Sequence, residues 1–153
     1  MKVYLASDHA GLALKEALVK ALSEEGHRVE DLGAYTENPE DDYPDFIAPC
    51  AARVAAEKEA RGIVIGGSGH GEAMVANRIL GVRAATFYGP RSIQEKSEDG
   101  YDIVRVLRMH YDANVLSLGA RYISEEEACE AARVFLSTEF SGDERHVRRL
   151  GKF

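Results

Sequence analysis

The residues with the most chemical content are Gly66-Gly67-Ser68-Gly69-His70-Gly71-Glu72, which leave a short apolar run and open a helical one. Glycines in such a turn let backbone N–H groups converge on an anion at a helix N-terminus, where the helix dipole also favours negative charge. Three familiar motifs do not fit. A phosphate loop needs Lys and then Ser or Thr where Glu72 and Ala73 stand. A nucleophile elbow needs Gly in place of His70, and a dinucleotide fingerprint needs its third glycine one place after Gly71. A carboxylate just inside a glycine cradle suits a different reaction, in which a base removes a carbon-bound proton while backbone donors stabilise the developing enediolate oxygen. Glu72 is then the base and the loop amides form the oxyanion hole. The competing reading is structural: an acid favoured by the dipole in a first helical turn, on glycines that only make a tight bend.

Ser7-Asp8-His9 ends an early β-prone run, where an Asp and a His can orient a sugar hydroxyl and a phosphate; an Asx turn or helix cap by Asp8 is the plainer alternative. His110, followed by Tyr111 and Asp112, titrates near physiological pH, although a lone loop histidine is commonly inert. Arg145, His146, Arg148, Arg149 and Lys152 crowd into the last nine residues. If that stretch is helical, Arg145 and Arg149 share a face and form a fork for a phosphate, with Arg121 in reserve. Metal binding is poorly supported, because Asp41, Asp42 and Asp45 lack the glycine spacing of a calcium loop and the histidines are scattered.

These groups need a frame. Lys2 to Ser7, Val29 to Leu32, Gly62 to Gly66, Arg83 to Tyr88 and Asn114 to Leu118 read as strands, separated by helical stretches. Gly62 to Gly66 is continuously apolar and too short for a helix, as expected of a central parallel strand buried on both faces. Ser124 followed by Glu127 is a capping box for a last long helix. The expectation is a three-layer α/β/α, Rossmann-like, doubly wound sheet of about five parallel strands, with ligands at their carboxyl ends.

The 153 residues read as one domain spanning 1–153, with a basic tail at about 143–153. A hydrophobic fraction of 45% is enough for one core. The formal charge of -7, from 26 acids and 19 bases, argues against nucleic acid or an anionic membrane as partner. No run of about 18 apolar residues occurs, no basic cleavable leader precedes the first strand, and Cys50 and Cys129 sit in apolar helical stretches as reduced thiols would. A soluble cytoplasmic protein is expected.

Ser7-Asp8-His9-Ala10-Gly11, Asp42-Tyr43-Pro44, Gly66-Gly67-Ser68-Gly69, Ala76-Asn77, Asp112-Ala113-Asn114-Val115-Leu116 and Arg145-His146-Val147-Arg148-Arg149 together resemble the ribose-5-phosphate isomerase B family, which also includes galactose-6-phosphate isomerase subunits. The resemblance runs nearly end to end. It implies conversion of ribose 5-phosphate to ribulose 5-phosphate through a cis-enediolate, without metal or organic cofactor. Many members carry a cysteine base after the central strand, where this chain has Gly66 and Gly67; it is similar instead to the branch whose base matches Glu72. By the same matching His110 assists ring opening, Asp8 holds hydroxyls, and Ser68 with the amides of Gly69 and Gly71 lines the anion hole. His9, Arg121, Arg145 and Arg149 bind phosphate, Gly67 belongs to the substrate loop, and Tyr43 lines the pocket. The resemblance also implies a homodimer or homotetramer with sites shared between subunits. Three features depart from the family pattern: a long 89–109 segment, Tyr111 where asparagine commonly stands, and His70 where the branch often has asparagine. They leave open a hexose 6-phosphate substrate of the allose or galactose type. A non-catalytic phosphosugar sensor would keep the arginines but has no need of Glu72, Asp8 and His110 as a set.

Overall fold

The computed structural model describes residues 1–90 and 100–153. Five parallel strands, β1 (Lys2–Ser7), β2 (Arg28–Asp31), β3 (Arg61–Gly66), β4 (Ala84–Phe87) and β5 (Val115–Gly119), lie in the order β2-β1-β3-β5-β4. The helices are α1 (Leu12–Glu24), α2 (Pro44–Ala56), α3 (His70–Ala76), α4 (Asp102–Tyr111), α5 (Glu125–Ser137) and α6 (Glu144–Leu150). The sequence expectation of a doubly wound α/β/α sheet holds, with strand ends shifted by a residue or so. The long 89–109 segment divides: 91–99 lies outside the described residues, and its last part is α4.

Side chains alternate across each strand, and the core divides accordingly. Val3, Leu5, Ile63, Ile65, Leu116 and Leu118 pack with α1, α4 and α5. Tyr4, Ala6, Val64 and Val115 face the other way, toward α2 and α3. Both faces are thus covered, which is why β3 and β5 carry almost no polar residues.

The winding changes direction between β1 and β3, so the chain after β1 moves toward one edge and after β3 toward the other. This is where a crevice opens beyond the carboxyl ends of the strands. Ser7 pairs in register with Ile65, so Asp8 and the Gly66 loop emerge side by side. Lys15, only 1% exposed, was not legible as a core residue. Its Nζ donates to both Asp31 carboxylate oxygens at 2.6 Å and to the Ala34 carbonyl at 2.7 Å, tying α1 to the turn after β2.

The capping box is formed in full: Ser124 Oγ accepts from the Glu127 amide at 3.2 Å, and Glu127 Oε2 accepts from the Ser124 amide at 2.8 Å. Ser124→Ala is expected to cost about 1 kcal/mol, read as a lower urea midpoint at unchanged slope. An unchanged midpoint would show that α5 is held by packing alone.

Candidate active site

The turn from β3 into α3 places Glu72. Gly69 is left-handed (φ 74°) at the cap of α3, a conformation that favours glycine. Its carbonyl is held from the neighbouring strands by Ser117 Oγ at 2.6 Å and Thr86 Oγ1 at 3.3 Å. The helix that follows carries Glu72 in its first turn, but the side chain does not reach outward: it is only 4% exposed. The carboxyl group folds back over the backbone of Gly66, so that a Cβ on that glycine would lie 1.9 Å from Glu72 Oε1. Burial raises the Glu72 pKa above the ordinary carboxylate range, and the nearby Asp8 charge adds to the rise. The amides of Glu72 and Gly69 and the His70 imidazole work in the opposite direction. Ser68 Oγ accepts from the His70 amide at 3.3 Å, which leaves its own proton to donate.

Around this carboxylate stand several of the expected residues. Asp8 is buried, and its Oδ1 accepts from the Gly11 amide at 3.1 Å, so the capping reading of Asp8 is correct. The Tyr43 ring rests on Gly71, where a Cβ would come within 2.8 Å of it. The Arg121 guanidinium covers Gly67, 3.1 Å from the Cβ position. Each glycine admits a side chain close to the loop.

His9 has a partner that sequence reasoning missed. Asp41 Oδ1 lies 2.5 Å from His9 Nδ1, and Asp41 Oδ2 accepts from the His9 amide at 3.0 Å. The pair fixes the imidazole with Nε2 turned away from Asp41 and raises the His9 pKa, mainly through that hydrogen bond. With Asp8, these residues bring three possible metal-ligand atoms within 4.8 Å of one another. Two of those three are already spent on each other. Tyr88 and Tyr122 were also missed: Tyr88 meets the His70 ring edge-on at 4.9 Å and Tyr122 at 5.4 Å, forming an aromatic wall beside Glu72. The available signal for Tyr88 was its position just past the carboxyl end of a strand.

His110, Arg145 and Arg149 are not in this cluster. His110 is in the last turn of α4 rather than in a loop, and α4 ends where β5 begins. The carboxyl edge is five strand residues further on, roughly 15 Å away at the usual rise. His110 stacks on the buried His146 of α6 with ring centroids 4.2 Å apart. Arg145 and Arg149 do lie four apart on that helix, both exposed. The expected residues thus fall into two groups: a carboxylate with its glycine cradle at one end of the sheet, and an imidazole with two guanidinium groups at the other.

A doubly wound sheet with a buried acid in a glycine turn at its switch point defines a class of small-molecule site suited to proton transfer. The particular family follows from comparison. A family model described as Ribose/Galactose Isomerase matches residues 3–153. Ribose-5-phosphate isomerase B of Mycolicibacterium paratuberculosis is 36% identical over 150 residues, covering 98% of this chain and 87% of that protein. The structure of ribose-5-phosphate isomerase B from Mycoplasma genitalium with bound ribulose-5-phosphate superposes with a TM-score of 0.88 at 34% identity, covering 99% of this chain and 92% of that one. That from Thermotoga maritima gives 0.86 at 39% identity, over 99% and 95% of the two chains. The chain belongs to the ribose/galactose isomerase family, among the ribose-5-phosphate isomerase B proteins that its motifs resemble.

Because Asp41 holds the His9 pKa above the histidine norm, the pair stabilises the fold fully below about pH 6.5, and that contribution disappears as pH rises through the elevated value. Asp41→Asn is expected to return the His9 NMR titration to lower pH. An unmoved titration would mean that Asp41 does not set it.

Proposed function

We propose that this chain interconverts ribose 5-phosphate and ribulose 5-phosphate by proton transfer through a cis-enediolate, using no metal or organic cofactor. The observation that carries the reading is the Glu72 carboxylate, buried over Gly66 with a raised pKa. A base that must take a proton from carbon and return it works best when its pKa lies nearer the operating pH than an exposed carboxylate's does.

In the open-chain aldose, Glu72 removes the C2 proton, the electron pair forms the C1–C2 double bond, and O1 becomes the oxyanion. Ser68 and the amides of Gly69 and Gly71 donate to that oxygen. The O2 hydroxyl proton passes to O1, and the protonated Glu72 delivers its proton to C1 as the carbonyl re-forms at C2. Asp8 holds hydroxyls, Tyr43 and Gly67 line the sugar, and His9 and Arg121 reach the phosphate.

His110, Arg145 and Arg149 complete this site from a second subunit. Two copies related by a two-fold axis can set the α4–α6 end of each over the carboxyl edge of the other, making two equivalent sites. Exposed Leu80 (96%), Phe153 (83%) and Met74 (70%) support burial against a second copy, in a homodimer or a tetramer built from it. His110 then assists ring opening, and the two arginines grip the phosphate. The proposal includes a cytoplasmic location, in keeping with two buried free thiols. Among the described residues no helix is long and apolar enough to cross a membrane.

Glu72→Gln keeps the shape and removes the base, so ribose 5-phosphate turnover should fall by about 10²- to 10⁴-fold. In the wild type, activity should resist chelators, and the acidic limb of kcat against pH should lie above the ordinary glutamate value of about 4.3. Normal turnover in the variant would reject the assignment. Subunit sharing has its own test. Glu72→Gln and His110→Ala proteins, each inactive, should regain up to roughly a quarter of wild-type activity when unfolded together and reassembled, because mixed dimers hold one intact site. Persistent inactivity of the mixture would place both residues in the same chain's site.

A further inference from the structure

A polar cavity of about 650 Å³ opens at the amino end of the sheet, away from Glu72 and Asp8, and the isomerase reaction makes no use of it. It lies between the end of α2, the start of β3 and the segment after α5, and its walls include Lys58, Arg61, Arg83 and Arg108. In a protein with a net charge of -7, this gathering of cations calls for a physical reason.

Two of the three guanidinium groups share one carboxylate. Asp112 accepts from Arg83 Nη2 at 2.8 Å and from Arg108 Nη1 at 2.9 Å. Arg83 Nε donates to the Tyr111 and Asp112 carbonyls, and Arg108 is further fixed by the Ala113 and Thr138 carbonyls. Arg61 differs: its Nη1 donates to the Ala60 carbonyl at 2.9 Å and the Lys58 carbonyl at 3.4 Å, and it forms no ion pair among the described residues. Arg61 Nε and Nη2, Arg83 Nη1 and Arg108 Nη2 are left without hydrogen-bond acceptors among those residues. Glu59 and Glu139 also line the cavity, but both are exposed and neither pairs with these arginines. Partial burial, reinforced by Arg108, lowers the pKa of Arg61, the sign of a cation held in an unfavourable place. The Asp112 and Glu59 charges offset this only in part, and a partly desolvated charge beside two like charges, with no carboxylate bonded to it among the described residues, is costly. An anion that accepts the spare N–H groups offsets that cost, and forked guanidinium donors match phosphate oxygens.

We propose that this cavity is a second anion site, which takes a small phosphate-bearing molecule on Arg61, with Arg83, Arg108 and Lys58 around it. Arg61 is the anchor, since its neighbours are already braced by Asp112. The ligand need not be the sugar phosphate, because the cavity lies at the opposite end of the sheet from Glu72.

Calorimetric titration with pyrophosphate tests this in a protein carrying Arg145→Gln and Arg149→Gln, which silences the arginine fork on α6. Adding Arg61→Gln should weaken pyrophosphate binding by about tenfold or more, the loss of one charge-assisted contact, with the far-ultraviolet circular dichroism unchanged. If Arg61→Gln does not fold, Lys58→Gln, at an exposed position, is read in its place and should weaken binding several-fold. Unchanged affinity in the variant that is read, or no binding heat up to about 10 mM pyrophosphate, overturns the proposal.

Discussion

The approach of the Glu72 carboxyl group to the backbone of Gly66 is the contact on which the rest of the site depends, because it is possible only where residue 66 has no side chain. It needs a left-handed residue at Gly69 to reverse the chain, and strand hydroxyls from Ser117 and Thr86 to hold that reversal in place. With these in place, an acid in a helical first turn is drawn inward rather than left in water. Burial then weakens its acidity, as the proposed role of a base toward carbon requires. Local backbone geometry, helix placement and proton affinity are one arrangement here, and a change to any of them reaches the others.

The sheet gives the molecule a polarity. Strand carboxyl ends carry Glu72, Asp8, His9 and Arg121, and the amino ends carry His110, Arg145 and Arg149, stabilised by the stacking of His110 on His146. This separation follows from connectivity: a helix leading into a parallel strand must end at that strand's amino edge. In the proposed function, association between copies brings the two groups together, which would tie activity to assembly. The second basic region, around Arg61, stands at the amino end too, with its own braces through Asp112.

Much of this was legible in the residues. β3 announced itself by an apolar run too short for a helix, and α5 by Ser124 and Glu127 at capping spacing. Glu72 stood out as the acid of the glycine turn. Other features depend on contacts between distant segments. Asp41 is 32 residues from His9 in a polar loop, and its carboxylate could not be distinguished from those of Asp42 and Asp45. Lys15 is buried only because Asp31 and the Ala34 carbonyl supply a counter-ion and an acceptor, and both come from a segment that helical periodicity does not reach. The insertion of β5 between β3 and β4 sets which loops meet, and periodicity carries no information about strand order. The role of Gly66 was hidden for the same reason, since an absent side chain reveals its purpose only when the atom filling its place is seen.

The most direct measurement is the kcat of Gly66→Ala on ribose 5-phosphate, alongside its thermal unfolding. Gly66 has no positive φ, and the three atoms nearest an added methyl all belong to the Glu72 carboxyl group. The fold should therefore survive while the base is pushed aside. We expect a folded protein whose kcat is lower by about two orders of magnitude or more. A folded Gly66→Ala protein that turns over at the wild-type rate would contradict the account.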